Sequence, residues 1–273
     1  MNRDINEVEF TIFDTETTGL EPESGDRIVE IAGIRFKGQE KIATFQTLVN
    51  PHRPISEAAF AVNHITPEML KGAPDINTVL PEFLKFIKGS CLCSYNAAFD
   101  WGFLNHELRL SGVPALEGIV VIDILKMAKR LLPGLERYAL MSVADKLGVK
   151  SAQKHRALSD AELTLEAFHK LKEILVNKSI SDFVNFTSLF GINAQFLADI
   201  HNQKIAKIQE AIGLGVKLKI KYLSSASAEV TEREVLPQEI KQENSRIYLV
   251  GHCCLRNEER TFRIDGILHL EIV

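Results

Sequence analysis

Cysteine is scarce in this chain of 273 residues, and the four present, Cys91, Cys93, Cys253 and Cys254, lack the paired C-x-x-C spacing of a structural zinc site. They read as reduced thiols of a cytosolic protein. No apolar stretch reaches the length that spans a bilayer, and the opening residues, Met-Asn-Arg-Asp-Ile-Asn-Glu, carry no apolar signal segment. The expectation is a soluble, cytoplasmic protein. An excess of basic charge is also missing, since the formal net charge is -4. This argues against a protein that coats nucleic acid passively, but not against an enzyme that reaches nucleic acid through metal ions. There is no internal repeat or low-complexity tract. What remains is an ordinary globular composition, 45% hydrophobic and 25% charged, with length for one large domain and a small one.

The alternating run Phe10-Thr11-Ile12-Phe13 reads as a β-strand, and residues 27–36 and 42–49 follow as two more, joined by turns as an antiparallel meander. Helical patterning begins at Thr66-Pro67, with Thr66 as N-cap, and resumes over residues 78–87. A short strand over residues 90–95 precedes a helix at 96–110, and a strand at 118–122 precedes a helix at 123–132. A short helix follows near residue 142, and Ser159 with Glu162 forms a capping box that predicts a helix from 159 to about 176. Strands interleaved with helices imply an α/β fold, a mixed sheet with helices packed on it. Residues 177–204 read as a connector with a short helix at 194–200, and a separate helix is expected at 205–212. Beyond it, five short strand candidates suggest a small antiparallel barrel. The domains expected are therefore 1–176, a connector at 177–204, and 205–273.

Charged residues interrupt these apolar patterns at particular places. Asp14 and Glu16, two apart on the first strand, project on the same side as Phe10 and Ile12. Two carboxylates continuing a buried face resist joint ionisation unless a cation compensates them. Asp100 shares a helix face with Leu104 and Leu108, and Asp160 with Thr164, Phe168, Leu171 and Leu175. Each alone has a plain reading as a first-turn acid favoured by the helix dipole. Four together, with His155 just before the last helix, point to hard divalent cations, which take carboxylate and phosphate oxygens. Two such ions stabilise the attacking and leaving oxygens of a phosphoryl displacement, and a histidine of near-neutral pKa accepts the proton of the attacking water. The chemistry implied is metal-dependent phosphodiester hydrolysis.

Phe13-Asp14-Thr15-Glu16-Thr17-Thr18-Gly19-Leu20, Asn96-Ala97-Ala98-Phe99-Asp100 and His155-Arg156-Ala157-Leu158-Ser159-Asp160-Ala161 resemble, in that order, the three motifs of the DEDDh exonucleases of the DNA polymerase III epsilon type. The resemblance covers about residues 8 to 175. It implies a ribonuclease-H-like fold and 3'-to-5' removal of nucleoside monophosphates from single-stranded DNA with two Mg2+ or Mn2+ ions, RNA ends being the alternative substrate. Carried over by position, Asp14 would bridge both ions, Glu16 and Asp160 would hold the nucleophile-side ion, Asp100 the other, and His155 would be the general base. Thr15, Thr17, Leu20, Asn96 and Phe99 match substrate-side positions, Leu20 as a wedge beside the terminal base. In the segment Asn63-His64-Ile65-Thr66, where relatives often read His-Gly-Ile-Thr, either Asn63 or His64 would meet substrate. Tyr95 stands where relatives often place His.

The C-terminal part resembles a second family, the WYL domain, a small Sm-like or SH3-like barrel, through Arg233-x-x-x-Pro237, Ile247-Tyr248-Leu249-Val250-Gly251 and Arg260-Thr261-Phe262-Arg263-Ile264-Asp265. This implies binding of nucleic acid or a negatively charged ligand, such as a nucleotide, with Arg233, Tyr248, Arg260 and Arg263 as the residues concerned. Gly266 stands where relatives commonly have Arg, and Ile247 replaces the Trp of the family name. Basic and acidic residues balance over this part. Lys217, Lys219 and Lys221 fall on one strand face, either a phosphate-contacting stripe or a solvated outer face. A non-catalytic sensor built on an exonuclease scaffold is the reading from another class, and loss of a carboxylate would mark it. None is lost.

Overall fold

The computed structural model describes residues 3–116, 118–150, 155–192, 194–244 and 246–273. Strands β1 (Glu9–Thr17), β2 (Ile28–Lys37) and β3 (Glu40–Leu48) form the predicted antiparallel meander. Helices α1 (Glu57–Asn63), α2 (Pro67–Leu70) and α3 (Ile76–Ile87) lead into β4 (Cys91–Ser94), α4 (Ala97–Leu110), β5 (Val121–Asp123) and α5 (Ile124–Leu131). β4 pairs with β1, and β5 with β4, both in parallel, so the sheet order is β3-β2-β1-β4-β5. The crossover from β4 to β5 is α4, the connection that a parallel pair requires. Then come α6 (Leu140–Lys146) and α7 (Ala157–Asn177).

The alternation of β1 decides which helix each side chain meets. Phe10 and Ile12, with Ile34 and Phe36 of β2, pack against Phe168, Leu171 and Leu175 of α7. The Phe10 and Phe168 rings lie 5.3 Å apart, centroid to centroid. On the opposite face, Phe13, Ile31 and Leu92 pack against Val79, Leu80 and Phe83 of α3 and Phe103, Leu104 and Leu108 of α4. Asp14 and Glu16 therefore continue the α7 side of β1, and Thr15 between them turns toward α4.

Several boundaries differ from expectation. α1 is absent from the sequence reading because its Phe60 and Val62 stay about half exposed, so it has no apolar stripe to betray it. Ser56 caps it, its hydroxyl accepting from the Ala59 N–H at 3.2 Å. α7 begins at Ala157, two residues before the expected Ser159, because a carboxylate from β2 serves its first turn in place of a local cap. In the segment read as a connector, α8 (Phe183–Phe190) buries Phe186 and Phe190 in the first core. The two helices expected beyond it are one, α9 (Ala194–Leu214).

The C-terminal strands β6 (Leu218–Leu223), β7 (Val230–Glu243), β8 (Arg246–Cys253), β9 (Glu258–Arg263) and β10 (Ile267–Ile272) are antiparallel throughout, in the order β10-β6-β7-β8-β9. The expected closed barrel is an open five-stranded sheet. β9 and β10 approach through a single 3-10 turn, residues Ile264–Gly266, but stay at opposite edges. Closure is replaced by α9, whose Ile208 and Ala211 cover the apolar face formed by Leu218, Ile220, Val235 and Leu249. Among the described residues no helix is long and apolar enough to cross a membrane.

Candidate active site

Three separated segments deliver carboxylates to the end of β1. Asp14 and Glu16 arrive on the strand itself and are half-buried. Asp100 comes from the first turn of α4, which starts at Asn96 in the left-handed region (φ 64°) and is buried to 3% exposure. Asp160, in the first turn of α7, is 5% exposed. His155 precedes α7, also left-handed (φ 48°), with its side chain 46% exposed and its Nδ1 3.8 Å from Asp160 Oδ2.

The electrostatics carry the signature of uncompensated acids. Burial, then the charges of Asp100, Glu16, Asp160 and Glu30, push the Asp14 carboxyl well above its ordinary value. Burial, reinforced by Asp160, Glu30 and Asp100 and eased by Arg156, raises Glu16 to about 8. Asp100 is pushed by burial up to about 6, held from going higher by hydrogen bonds from Ser94 and Thr15. These carboxylates lie within electrostatic reach of one another. Among the described residues, however, no three His, Cys, Asp or Glu side chains close on one point as a ligand shell.

The donor set fits divalent cations of the Mg2+ kind all the same. Such ions are bound by one or two carboxylates together with water and substrate phosphate, so an open shell is the expected form. Asp100 illustrates the fit. Its Oδ1 accepts from the Thr15 N–H at 2.9 Å and the Thr15 hydroxyl at 2.7 Å, and its Oδ2 accepts from the Ser94 hydroxyl. Of roughly four lone-pair directions on a carboxylate, one on Oδ2 is left for a cation.

The substrate-side positions divide into two groups. Leu20 is 78% exposed beside the carboxylates' strand, and His64 is exposed at the end of α1 with φ 54°. Asn96 is exposed, and half-buried Phe99 packs at a tilt against Phe103, ring centroids 4.9 Å apart. Thr15, Thr17 and Asn63 are instead buried. The Thr15 hydroxyl is committed to Asp100, that of Thr17 donates to the Gly19 carbonyl, and Asn63 donates to the Thr17 carbonyl at 3.3 Å while accepting from the Ile65 N–H. Between Asn63 and His64, His64 is the one presented to solvent. Tyr95, at the other departure, donates to the Tyr138 carbonyl and braces the loop before α6.

Sequence reasoning missed the residues that aim the acids. Glu30 of β2, fully buried, takes Arg156 in a bidentate grip (2.9 and 2.8 Å) and accepts the Ala157 N–H at 3.1 Å. Burial works against its charge, but Arg156, Gln46 and the Ala157 N–H hold its carboxyl below the usual value. Glu30 thus anchors the N-terminus of α7, and with it Asp160 and His155. On the other side, buried Glu107 of α4 holds Arg27 at 2.8 and 2.7 Å and the Ile28 N–H at 3.2 Å. The available signal was a lone acid inside the otherwise apolar run Ile28-Val29-Glu30-Ile31-Ala32.

In the C-terminal sheet, Tyr248 and Arg263 are cross-strand partners, and Arg263 binds Asp265. Arg233 bonds Thr231, and Arg260 bonds Glu258. Lys217 pairs with Glu234, and Lys219 with Glu232 and Glu271, so these two lysines belong to a solvated ionic face.

A family model described as Exonuclease matches residues 11–168, and one described as WYL domain matches residues 203–272. The chain belongs to the exonuclease family. It is homologous to the DNA polymerase III subunit epsilon of Treponema pallidum, 43% identical over 163 residues, which cover 59% of this chain and 75% of that one. It is also 33% identical over 260 residues to the DNA polymerase III PolC-type of Oceanobacillus iheyensis, covering 94% of this chain but only 18% of that protein. The chain thus spans under a fifth of the length of such PolC-type relatives. Among solved structures, one titled Exonuclease I (apo) is 14% identical with a TM-score of 0.59, covering 95% of this chain and 63% of that one, a likeness of fold. The nuclease domain titled 3'hExo, a DEDDh family member bound to rAMP, is 21% identical with a TM-score of 0.55, covering 63% of this chain and 94% of that one, again a likeness of fold, here ribonuclease-H-like.

Proposed function

We propose that the chain is a 3'-to-5' exonuclease that releases nucleoside monophosphates from single-stranded DNA ends in the cytoplasm. The observation that carries this is the gathering of Asp14, Glu16, Asp100 and Asp160 from three distant segments around one strand end, with His155 beside Asp160. Asp14 with Glu16 and Asp160 would hold one Mg2+ or Mn2+ ion, and Asp14 with Asp100 a second. These ions supply charge neutralisation for an in-line displacement at phosphorus.

The chain's own residues do the remaining work. His155 stands with Nδ1 3.8 Å from Asp160 Oδ2, and its Nε2 would take the proton of the attacking water. Leu20 and Phe99 supply apolar surface for the terminal base, and His64 and Asn96 polar contacts at the strand end. Thr15 and Ser94 fix the Asp100 carboxylate, so that it is in place before substrate arrives. Thr17 and Asn63 hold the turn that carries Leu20 outward.

The test is degradation of matched 5'-labelled single-stranded DNA and RNA with Mg2+, with Mn2+ and with chelator, for the wild type and Asp14→Asn. A metal-dependent ladder shortening from the 3' end of DNA, absent in the variant, supports the reading. A ladder on RNA alone would reassign the substrate, and no shortening with any metal would favour a sensor built on this scaffold.

A further inference from the structure

We propose that Asp26, outside the set of metal-binding acids, is a positioning residue for strand-end hydrolysis: its carboxylate holds the turn that carries Leu20, so that this wedge is in place before the terminal base arrives. The proposal rests on the exonuclease reading above and deepens it by naming the group through which the wedge acts. Leu20 is 78% exposed, so no packing of its own side chain fixes where it stands. Its backbone neighbours have to do so.

Residues on both sides of Leu20 bond to the one carboxylate. The Thr18 hydroxyl donates to Asp26 Oδ1 at 2.9 Å, and the Glu21 N–H donates to Asp26 Oδ2 at 3.1 Å. The Asp26 N–H in turn donates to the Glu21 carbonyl at 3.2 Å. Thr18 is itself anchored, for it is 1% exposed, its N–H donates to the Arg27 carbonyl at 2.9 Å, and its hydroxyl oxygen accepts from the Arg27 N–H at 3.1 Å. The base of the turn is thus fixed to the start of β2, and Asp26 carries that order to the apex.

Gly19 gives the second observation. A Cβ there would stand 2.2 Å from Asp26 Oδ2 and 2.5 Å from its Cγ, so the carboxylate occupies the place that a side chain next to Leu20 would take. Glycine is required here by this close approach. Arg53, on the segment leading to α1, reaches the same carboxylate, Nη2 to Oδ1 at 3.4 Å, and donates to the Gly25 carbonyl. The Ser56 N–H, at the cap of α1, donates to the Thr18 carbonyl at 3.0 Å. Asp26 therefore joins the Leu20 turn to the helix that ends at His64, and both substrate-side residues move as one unit. A wedge ordered in advance spares the binding step the entropy of ordering it, which lowers KM without touching the chemistry.

The test is steady-state hydrolysis of a 5'-labelled single-stranded DNA oligonucleotide with Mg2+ by the full chain, as wild type, Asp26→Ala, Leu20→Ala and the double variant. Asp26→Ala should raise KM by about 3–10-fold, the worth of roughly one hydrogen bond, with kcat within about twofold of the wild type. In the Leu20→Ala background the same change should raise KM by less than about twofold, because the wedge it holds is gone. Gly19→Ala should reproduce the rise in KM by displacing the carboxylate. Asp26→Asn, which keeps an acceptor for Thr18, should fall between wild type and Asp26→Ala, and these two variants decide the matter where Asp26→Ala does not fold. KM effects that add in the double variant would overturn the proposal and leave the exonuclease reading in place. So would a fall in kcat as large as the rise in KM, or wild-type KM in both Asp26→Asn and Gly19→Ala. No turnover by the wild type would overturn both.

Discussion

Replacing Glu16 by Gln should stabilise the protein when no metal is present and remove the stabilisation that metal confers. The Glu16 carboxyl titrates at about 8 in the folded chain, against an ordinary 4.5. The sign follows from linkage: between these two values the folded state binds the proton more tightly than the unfolded one, so stability falls as pH rises through that window. At 1.36 kcal/mol per pH unit, the destabilisation at pH 8 has an upper bound of about 4 kcal/mol. Water reaching a half-buried carboxylate reduces it to about 1–2 kcal/mol. Gln keeps the shape and omits the charge. In chelator at pH 8 its midpoint of thermal unfolding should therefore exceed that of the wild type by about 2–6 °C, and the gain should shrink toward pH 5. With excess Mn2+ the order should reverse, because saturating ligand stabilises only a chain that binds it. Calorimetric melting of both chains at the two pH values, with and without Mn2+, decides it. A variant less stable than the wild type in chelator at pH 8 would refute the reasoning.

Glu30→Gln should cost about 1–2 kcal/mol by weakening the hold on the partly exposed Arg156 and loosening the start of α7, and kcat should fall although no reacting group is changed; thermal melts and steady-state rates check both. Thr15→Val removes one of the two bonds to Asp100 Oδ1, so about 1 kcal/mol of stability should go, together with affinity for the Asp100-side metal, as read by the Mg2+ concentration needed for half-maximal activity. Leu20→Ala, at an exposed position, should leave the melting temperature unchanged and raise KM for single-stranded DNA. His155→Ala should lower kcat by about 10²–10⁴-fold with the fold intact, followed on a 5'-labelled oligonucleotide.

The first sheet was legible because its strands are short apolar runs bounded by turn residues, buried almost throughout in β2, β4 and β5, and the acids stood out because each broke an otherwise apolar face. Helical spacing set Asp100 and Asp160 on apolar faces, which alone reads as two first-turn acids and only together with Asp14, Glu16 and His155 as a site; both are buried where that spacing puts them. The clamps that aim them were not legible. Glu30 and Arg156 are 126 positions apart, and nothing local to either names the other. Long-range capping also explains the misplaced start of α7, whose first turn is served by Glu30 rather than by Ser159. The barrel failed for a different reason. Five alternating strands specify a curled antiparallel sheet, but whether its edges meet depends on what fills the concave face, and α9, read as two pieces, fills it here. The substrate-side residues were chosen by motif position, which cannot distinguish a buried Asn63 from an exposed His64.

The central claim is that the carboxylates at the end of β1 form a divalent metal site, and Mn2+ binding measured by electron paramagnetic resonance tests it most directly. In the presence of nucleoside monophosphate, the wild-type chain should take up two Mn2+ ions that Asp14→Asn no longer holds together. Mn2+ uptake that is absent in the wild type, or that survives unchanged in the variant, would contradict it.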